Sequence, residues 1–272
     1  MAIQLAKAIN TEIICADSRI VYKDLDIVSA KPDIKERQGI CHHLTDIKEP
    51  DEDFSAGDFV YLAQNIIKNS KKPIIISGGT WFYIKSLLDD VKLPECPIDI
   101  ELRKTLEKKD SKTLWLELNE IDPLRAQKIH HNNKDKIIRS IELCKLLKQP
   151  ISAYVREKNE NYDAKWFIIK INREKLYQNI NSRVDKMIDD GLFNEWERND
   201  KKYGKTKIIC NTIGYKEFYE LKDGIYTDFD MAVEKIKQHT RNFAKRQLTY
   251  FKSNQKIKSI NNYGEILKEC DL

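Results

Sequence analysis

A chain of 272 residues with 41 % apolar content is long enough for one sizeable α/β domain, or for one domain carrying an insertion. Its charged residues, 33 % of the total, are mixed in sign and leave a net charge of only +5, which excludes a globally disordered polyelectrolyte. No apolar run approaches the roughly 20 residues of a membrane span, and Met1–Asn10 lacks the apolar stretch of a secretory leader, so a cytoplasmic protein is expected.

In chain order, Met1–Asn10 reads as an amphipathic helix. Glu12–Ala16 is a short β-branched run that ends in Asp17 and Ser18, and Pro73–Ser77 repeats the pattern before Gly78, Gly79 and Thr80. Both fit buried parallel strands. Ser55–Asn69 and Trp81–Leu88 carry helical patterns. Alternating strand and helix predicts a doubly wound α/β core with its ligands at the carboxyl ends of the strands, where Asp17 and Thr80 stand.

From Leu93 the character changes. Pro94 and Pro97 mark a break, and Ile100–Lys108, Lys112–Asn119, Pro123–Ile129 and Lys136–Lys148 follow as charged helical segments with no buried-strand signal. We therefore divide the chain into a first core part (1–92), a helical insertion (93–162) and a second core part (163–272). Trp166–Ile171 is the strand that returns to the core, Arg173–Asp190 a helix stopped by Gly191, and Asp230–Phe251 the last clear helix.

Cys15, Cys41, Cys96, Cys144, Cys210 and Cys270 are far apart and form no C-x-x-C pair, which argues against a zinc knuckle or a disulfide framework. Lys235, Lys237, Arg241, Lys245, Arg246, Lys252, Lys256 and Lys258 crowd near the C-terminus with only Glu234 among them. Such a face suits a polyanion; a merely solvated helix face is the alternative.

Five blocks carry more. Ala16–Tyr22 with Leu25–Ile27 and Ala30–Pro32 is similar to the ADSxxVYxxLDIxxAKP stretch of bacterial tRNA dimethylallyltransferases. Gly78–Thr80 with Tyr83 resembles that family's GGTxxY turn. Ile121–Pro123, Ile129–His130, Arg139 and Glu142 resemble its insertion pattern, and Ile213–Glu217 and Thr240–Thr249 resemble its IGYKE and TRxxAKRQxT blocks. The blocks fall in family order over nearly the whole chain.

The resemblance implies transfer of a dimethylallyl group from dimethylallyl diphosphate to N6 of the adenosine next to the anticodon, in tRNAs reading codons that begin with U. An exocyclic amine is a poor nucleophile, and a carboxylate beside it can take its proton as the C–N bond forms. The resemblance gives that role to Asp17, whose plainer reading is a turn cap, and places Thr80 at the reacting centre. Gly79 and Arg183 would bind diphosphate, the arginine because a planar guanidinium holds two phosphate oxygens. Arg183 could equally pair with Asp185 or Glu174 on a surface helix.

The expected tRNA contacts are Asp17, Ser18, Arg19 and Ile20 around a flipped base, Asp135, Lys136, Ile137, Ile138 and Arg139 on the insertion, Asn211, Thr212, Ile213, Gly214, Tyr215 and Lys216, and the basic Arg241, Lys245 and Arg246. Ile20, Val28 and Asn211 depart from the usual family residues. The partners implied are a tRNA anticodon stem-loop and the prenyl diphosphate, with no membrane, and the protein is expected to be a monomer.

The expected fold is a P-loop-NTPase-like parallel sheet without its first strand and phosphate loop. Ala2–Lys7 matches the helix that follows that loop in the family, and no G-x-x-x-x-G-K-[ST] occurs in the chain. Mg²⁺ is implied as cofactor; its hydroxyl ligand belongs to the loop, so no metal ligand is expected among these residues. Two other readings are an adenylate prenyltransferase, which has no use for a helical insertion or a basic C-terminal block, and a catalytically silent tRNA-binding remnant.

Overall fold

A computed structural model describes residues 1–88, 96, 98–154, 162–252 and 256–270. The expected start of the insertion at Leu93, with its break at Pro94 and Pro97, lies outside the described residues. The chain forms two compact units, one of Met1–Leu88 with Asn161–Leu272 and one of Asp89–Glu160.

In the first unit, helix α1 (Ala2–Ala8) leads into strand β1 (Ile13–Cys15), whose three residues are all buried. A short helix α2 (Ile34–Arg37) is closed by a reciprocal cap between Asp33 and Glu36 and precedes β2 (His42–His43). Helix α3 (Ala56–Asn69) begins at Ser55, whose hydroxyl accepts from the Asp58 N–H while the Asp58 carboxylate reaches back to the Ser55 N–H. Strand β3 (Ile75–Ser77) and helix α4 (Trp81–Leu88) complete the first stretch. The three strands form a parallel sheet in the order β2-β1-β3, with Ile13 level with His42 and with Ile75. Phe59 of α3 stacks on Tyr83 of α4 with ring centroids 4.8 Å apart, and Ile14, Ala16 and Leu87 pack into the same core.

The second unit is helical throughout its described residues. It contains α5 (Ile100–Glu107), α6 (Ser111–Ile121), α7 (Pro123–Ala126) and α8 (Lys134–Leu147), then a single 3₁₀ turn at Ile151–Ala153. Asp99, Asp110, Asp122 and Asn133 cap the four helices in turn, each accepting a backbone N–H inside the first turn. Leu106, Leu114, Leu118, Ile137 and Ile141 are fully buried at its centre.

The first unit resumes with β4 (Trp166–Ile169) and then α9 (Arg173–Asp189), α10 (Leu192–Tyr203), α11 (Lys207–Asn211), α12 (Tyr215–Lys222) and the long α13 (Phe229–Lys252). Strand β5 (Ile257–Ile260) pairs parallel with β4, and α14 (Tyr263–Glu269) ends the described chain. Trp196, Tyr215 and Phe218 form a second core with Val21 and Leu25, which ties the segment after β1 to the late helices.

Strands β2 and β5 were not expected from the sequence. The first is only two residues long, and the second, Ile-Lys-Ser-Ile, follows Lys256 and has a lysine and a serine between its two apolar ends.

Candidate active site

The parallel register brings the two strand ends together. Cys15 is level with Ser77, the Ala16 N–H donates to the Ser77 carbonyl (2.9 Å), and the Thr80 N–H donates back to the Ala16 carbonyl (3.0 Å). Only glycine fits between them, because a Cβ added at Gly78 would overlap the Ala16 carbonyl group. Asp17 and Thr80 therefore emerge side by side. The Thr80 hydroxyl accepts the Ser18 N–H at 2.9 Å.

Asp17 serves the turn and retains a free edge. Its Oδ1 accepts the N–H groups of Arg19 (2.7 Å) and Ile20 (3.3 Å), the cap expected of an aspartate at this position. Among the described residues nothing donates to Oδ2, which leaves it for an incoming group. Two guanidiniums, those of Arg19 and Arg183, feel the charge of the carboxylate. Desolvation pulls both Arg19 and Arg183 below the usual arginine range, and the Asp17 charge opposes it in each case. Arg183 is exposed by area, yet it sits far enough among neighbouring groups for desolvation to be the larger influence. It makes no hydrogen bond or ion pair among the described residues, so the pairing with Asp185 or Glu174 that its helix allows is not formed; Asp185 holds Lys237 instead. Arg19 donates to the Ser18 carbonyl at 3.0 Å, and burial raises the neighbouring Tyr22 hydroxyl to about 12.

Three supports of this site were missed in the sequence. Gln247 of α13 donates from Nε2 to the Gly79 carbonyl at 2.7 Å. Glu195, 3 % exposed, accepts the N–H groups of Asp26 (3.0 Å), Ile27 (2.6 Å) and Val28 (3.0 Å) together with the Tyr215 hydroxyl (2.8 Å). Glu217 is buried and accepts the Gly214 N–H at 2.6 Å, with His239 Nδ1 2.5 Å from its other oxygen. Of these, Gln247 and Glu217 stood inside the quoted blocks; Glu195 carried no sequence signal beyond being an acidic residue in a helix.

Several expected tRNA contacts prove to be interior. Ile137 and Ile138 are 0 % and 5 % exposed and belong to the core of the second unit. Tyr215 is fully buried on Glu195, and Thr212 is 3 % exposed with its hydroxyl on the Ile208 carbonyl. Gly214 is buried against Val28 with φ +105°, a left-handed turn conformation that suits glycine. Ile20 packs toward Ala6 and Ile13. Arg139 spends its guanidinium on Glu142 (2.5 Å) and the Cys96 carbonyl (3.1 Å). Asp135, Lys136, Asn211 and Lys216 are exposed, and Ile213 is half-buried.

The C-terminal basic face is smaller than the sequence suggests. Lys237 pairs with Asp185 and Glu234, Lys258 pairs with Glu269, and Arg241 donates to Asn181 (2.6 Å). Lys245 and Arg246 are exposed and make no ion pair among the described residues; the Arg246 guanidinium lies 5.8 Å from the centre of the Phe243 ring.

Residues 20–254 match the family model described as IPP transferase. The chain belongs to the IPP transferase family. Among curated IPP transferase relatives, the tRNA dimethylallyltransferase of Acetivibrio thermocellus is 42 % identical over 273 residues, covering 96 % of this chain and 87 % of that protein. That of Anoxybacillus flavithermus is 41 % identical over 263 residues, covering 94 % and 84 %. The crystal structure of the tRNA delta(2)-isopentenylpyrophosphate transferase from Staphylococcus epidermidis superposes with a TM-score of 0.69 at 35 % identity, over 99 % of this chain and 92 % of that one. A eukaryotic dimethylallyltransferase captured acting on tRNA superposes with a TM-score of 0.77 at 28 % identity, over 92 % of this chain and 65 % of that one. The α/β fold with small parallel sheets and many helices is that of these IPP transferase structures.

Proposed function

We propose that the chain transfers a dimethylallyl group from dimethylallyl diphosphate to N6 of the adenosine beside the anticodon, in tRNAs reading codons that begin with U. The observation that carries this reading is the meeting of Asp17 and Thr80 at the carboxyl ends of β1 and β3, with Arg19 and Arg183 near enough to feel the Asp17 charge, in a chain of this family. The amine nitrogen forms a bond to the allylic carbon. The carbon–oxygen bond breaks, and its electron pair leaves with the diphosphate. Asp17 Oδ2 takes the amine proton and passes it to solvent. The Thr80 hydroxyl, held by the Ser18 N–H, keeps its own proton to donate to the acceptor base or a diphosphate oxygen. Arg183, with its donors free, clamps the leaving group.

Mg²⁺ would neutralise the diphosphate when bound with it. The Thr80 hydroxyl and the donor's own oxygens are compatible with an ion that keeps several waters and needs few protein ligands. The one His/Cys/Asp/Glu trio close enough to share an ion, among the described residues, is Glu12, Cys41 and His43, which contains a thiol and lies at the opposite ends of the strands. We read the two parallel sheets of the first unit as parts of one P-loop-NTPase-like sheet. Support comes from Trp81, which follows β3 and lies 5.4 Å from Trp166 of β4 by ring centroid. A phosphate-loop strand would extend that sheet. We also place the protein in the cytoplasm, as a monomer; no described helix is long and apolar enough to cross a membrane.

The test is incubation with dimethylallyl diphosphate, Mg²⁺ and an anticodon stem-loop bearing the adenosine, followed by mass analysis of the RNA. Prenylated RNA with unmodified AMP in a parallel reaction is expected. Prenylation of AMP instead would overturn the proposal in favour of an adenylate-modifying enzyme.

A further inference from the structure

Gln247 joins two parts of the molecule that the proposed reaction uses separately. It lies on α13, two residues after Lys245 and directly after Arg246, the exposed cations of that helix. Its amide donates to the Gly79 carbonyl at 2.7 Å, and an ideal Cβ built on Gly79 would come within 2.5 Å of the same Nε2. The absence of a side chain at Gly79 is thus what admits the amide.

The next residue is Thr80, whose hydroxyl fixes the Ser18 N–H beside Asp17. One turn further along α13, Phe251 meets the edge of Trp81, the residue after Thr80, at 5.5 Å between centroids. Helical spacing puts residues 247 and 251 on one face, so the helix grips both sides of the Thr80 turn. Lys245 projects from a different face.

We propose that Gln247 is a positioning residue, through which RNA seated on the basic residues of α13 orders the Gly78–Thr80 turn for transfer. This rests on the reading that Asp17 and Thr80 form the transfer site. A peptide carbonyl held by a half-buried amide cannot rotate without breaking that bond, and rotation at Gly79 would swing the Thr80 hydroxyl off the Ser18 N–H. RNA that fixes α13 therefore suppresses that motion without touching the turn.

The experiment is hydrogen exchange of the segment spanning residues 78–83, in the full chain with and without an anticodon stem-loop RNA. Gln247→Glu keeps the shape but presents an acceptor to a carbonyl, so the bond is lost; Gln247→Ala and Gly79→Ala are read alone and together. In the parent chain the RNA should slow exchange of the segment by about threefold or more, the worth of one neutral hydrogen bond. In Gln247→Glu that protection should vanish, while RNA affinity changes by less than about threefold. Gly79→Ala plus Gln247→Ala should lose no more protection than the worse single variant, because both act on one contact.

Full RNA-dependent protection in Gln247→Glu, or additive losses in the double variant, would overturn the coupling. Asp17→Asn separates the two readings, since it should abolish transfer and keep the protection. If Asp17→Asn transfers normally, the assignment of the site fails. If RNA binds the parent chain without slowing exchange at 78–83, the coupling alone fails. Absence of RNA binding by the parent chain would refute both.

Discussion

Replacing Asp17 by asparagine isolates proton acceptance from everything else that residue does. The carboxylate holds its turn through Oδ1 alone, by the Arg19 N–H at 2.7 Å and the Ile20 N–H at 3.3 Å. An amide oxygen can stand in the same place and accept both, so the turn should survive at a cost of about 1 kcal/mol or less. The amide NH₂ then falls where Oδ2 was, and it cannot take a proton. Loss of a positioned base lowers turnover by about 10²–10⁴, or roughly 3–5 kcal/mol of transition-state stabilisation. Asp17→Ala should lose the turn as well, with a further destabilisation of about 2–3 kcal/mol from two N–H groups left without an acceptor. The assay is single-turnover prenylation of the stem-loop at saturating donor, run beside thermal melting of each variant. Near-normal turnover of a stably folded Asp17→Asn chain would remove Asp17 from the mechanism.

Other expectations follow from single contacts. Glu142 is fully buried; desolvation raises its pKa, but Arg103, Arg139 and the Asp99 N–H together bring it below the ordinary 4.5. Its contribution is therefore present above pH 4.5 and lost as pH falls through the lower folded value, and Glu142→Gln should cost about 3 kcal/mol at neutral pH and flatten the acid limb of the stability profile. Arg139→Ala should act through the same network, so any loss of RNA binding should track the loss of folded second unit seen by proteolysis. Lys245→Ala with Arg246→Ala should instead leave stability alone and reduce the slope of log K against log salt by about 1.5; an unchanged slope would take α13 off the RNA surface. Glu195→Gln should destabilise by about 1–3 kcal/mol, read by melting, because three N–H groups and a hydroxyl share its two oxygens. Titration of donor at several Mg²⁺ concentrations should show steep, Mg²⁺-dependent turnover, and turnover indifferent to Mg²⁺ would refute the reading that the ion neutralises the leaving diphosphate.

The strand ends at Asp17 and Thr80 were legible because β-branched runs stopping at small or polar residues report buried parallel strands, and parallel register leaves few ways to arrange their ends. The expected helices likewise formed close to their anticipated limits, several opened by a visible cap such as Ser55, Asp110 or Asn133. Motif matching blurred a distinction that periodicity could have drawn. Ile137, Ile138 and Ile141 recur at helical spacing and are core, whereas Asp135 and Lys136 beside them are exposed. The basic face was overcounted for another reason. Besides its local partner Glu234, Lys237 is held by Asp185, distant in sequence and contributed by α9, and no local window shows that second acid. Glu195 was invisible on the same ground, since its backbone partners lie more than 160 positions earlier.

That separation bears on the order in which the protein can come into being on the ribosome. The backbone at Asp26–Val28 has no acceptor for its three N–H groups until residue 195 arrives, and the turn at Gly79 lacks its amide until residue 247 does. A nascent chain that has emitted Asp17 and Thr80 holds the proposed reacting groups but not the contacts that fix their surroundings. The transfer site thus matures late, after the long-range contacts close. An N-terminal fragment released early by premature termination would carry Asp17 and Thr80 without the late helices whose side chains hold the turns beside them.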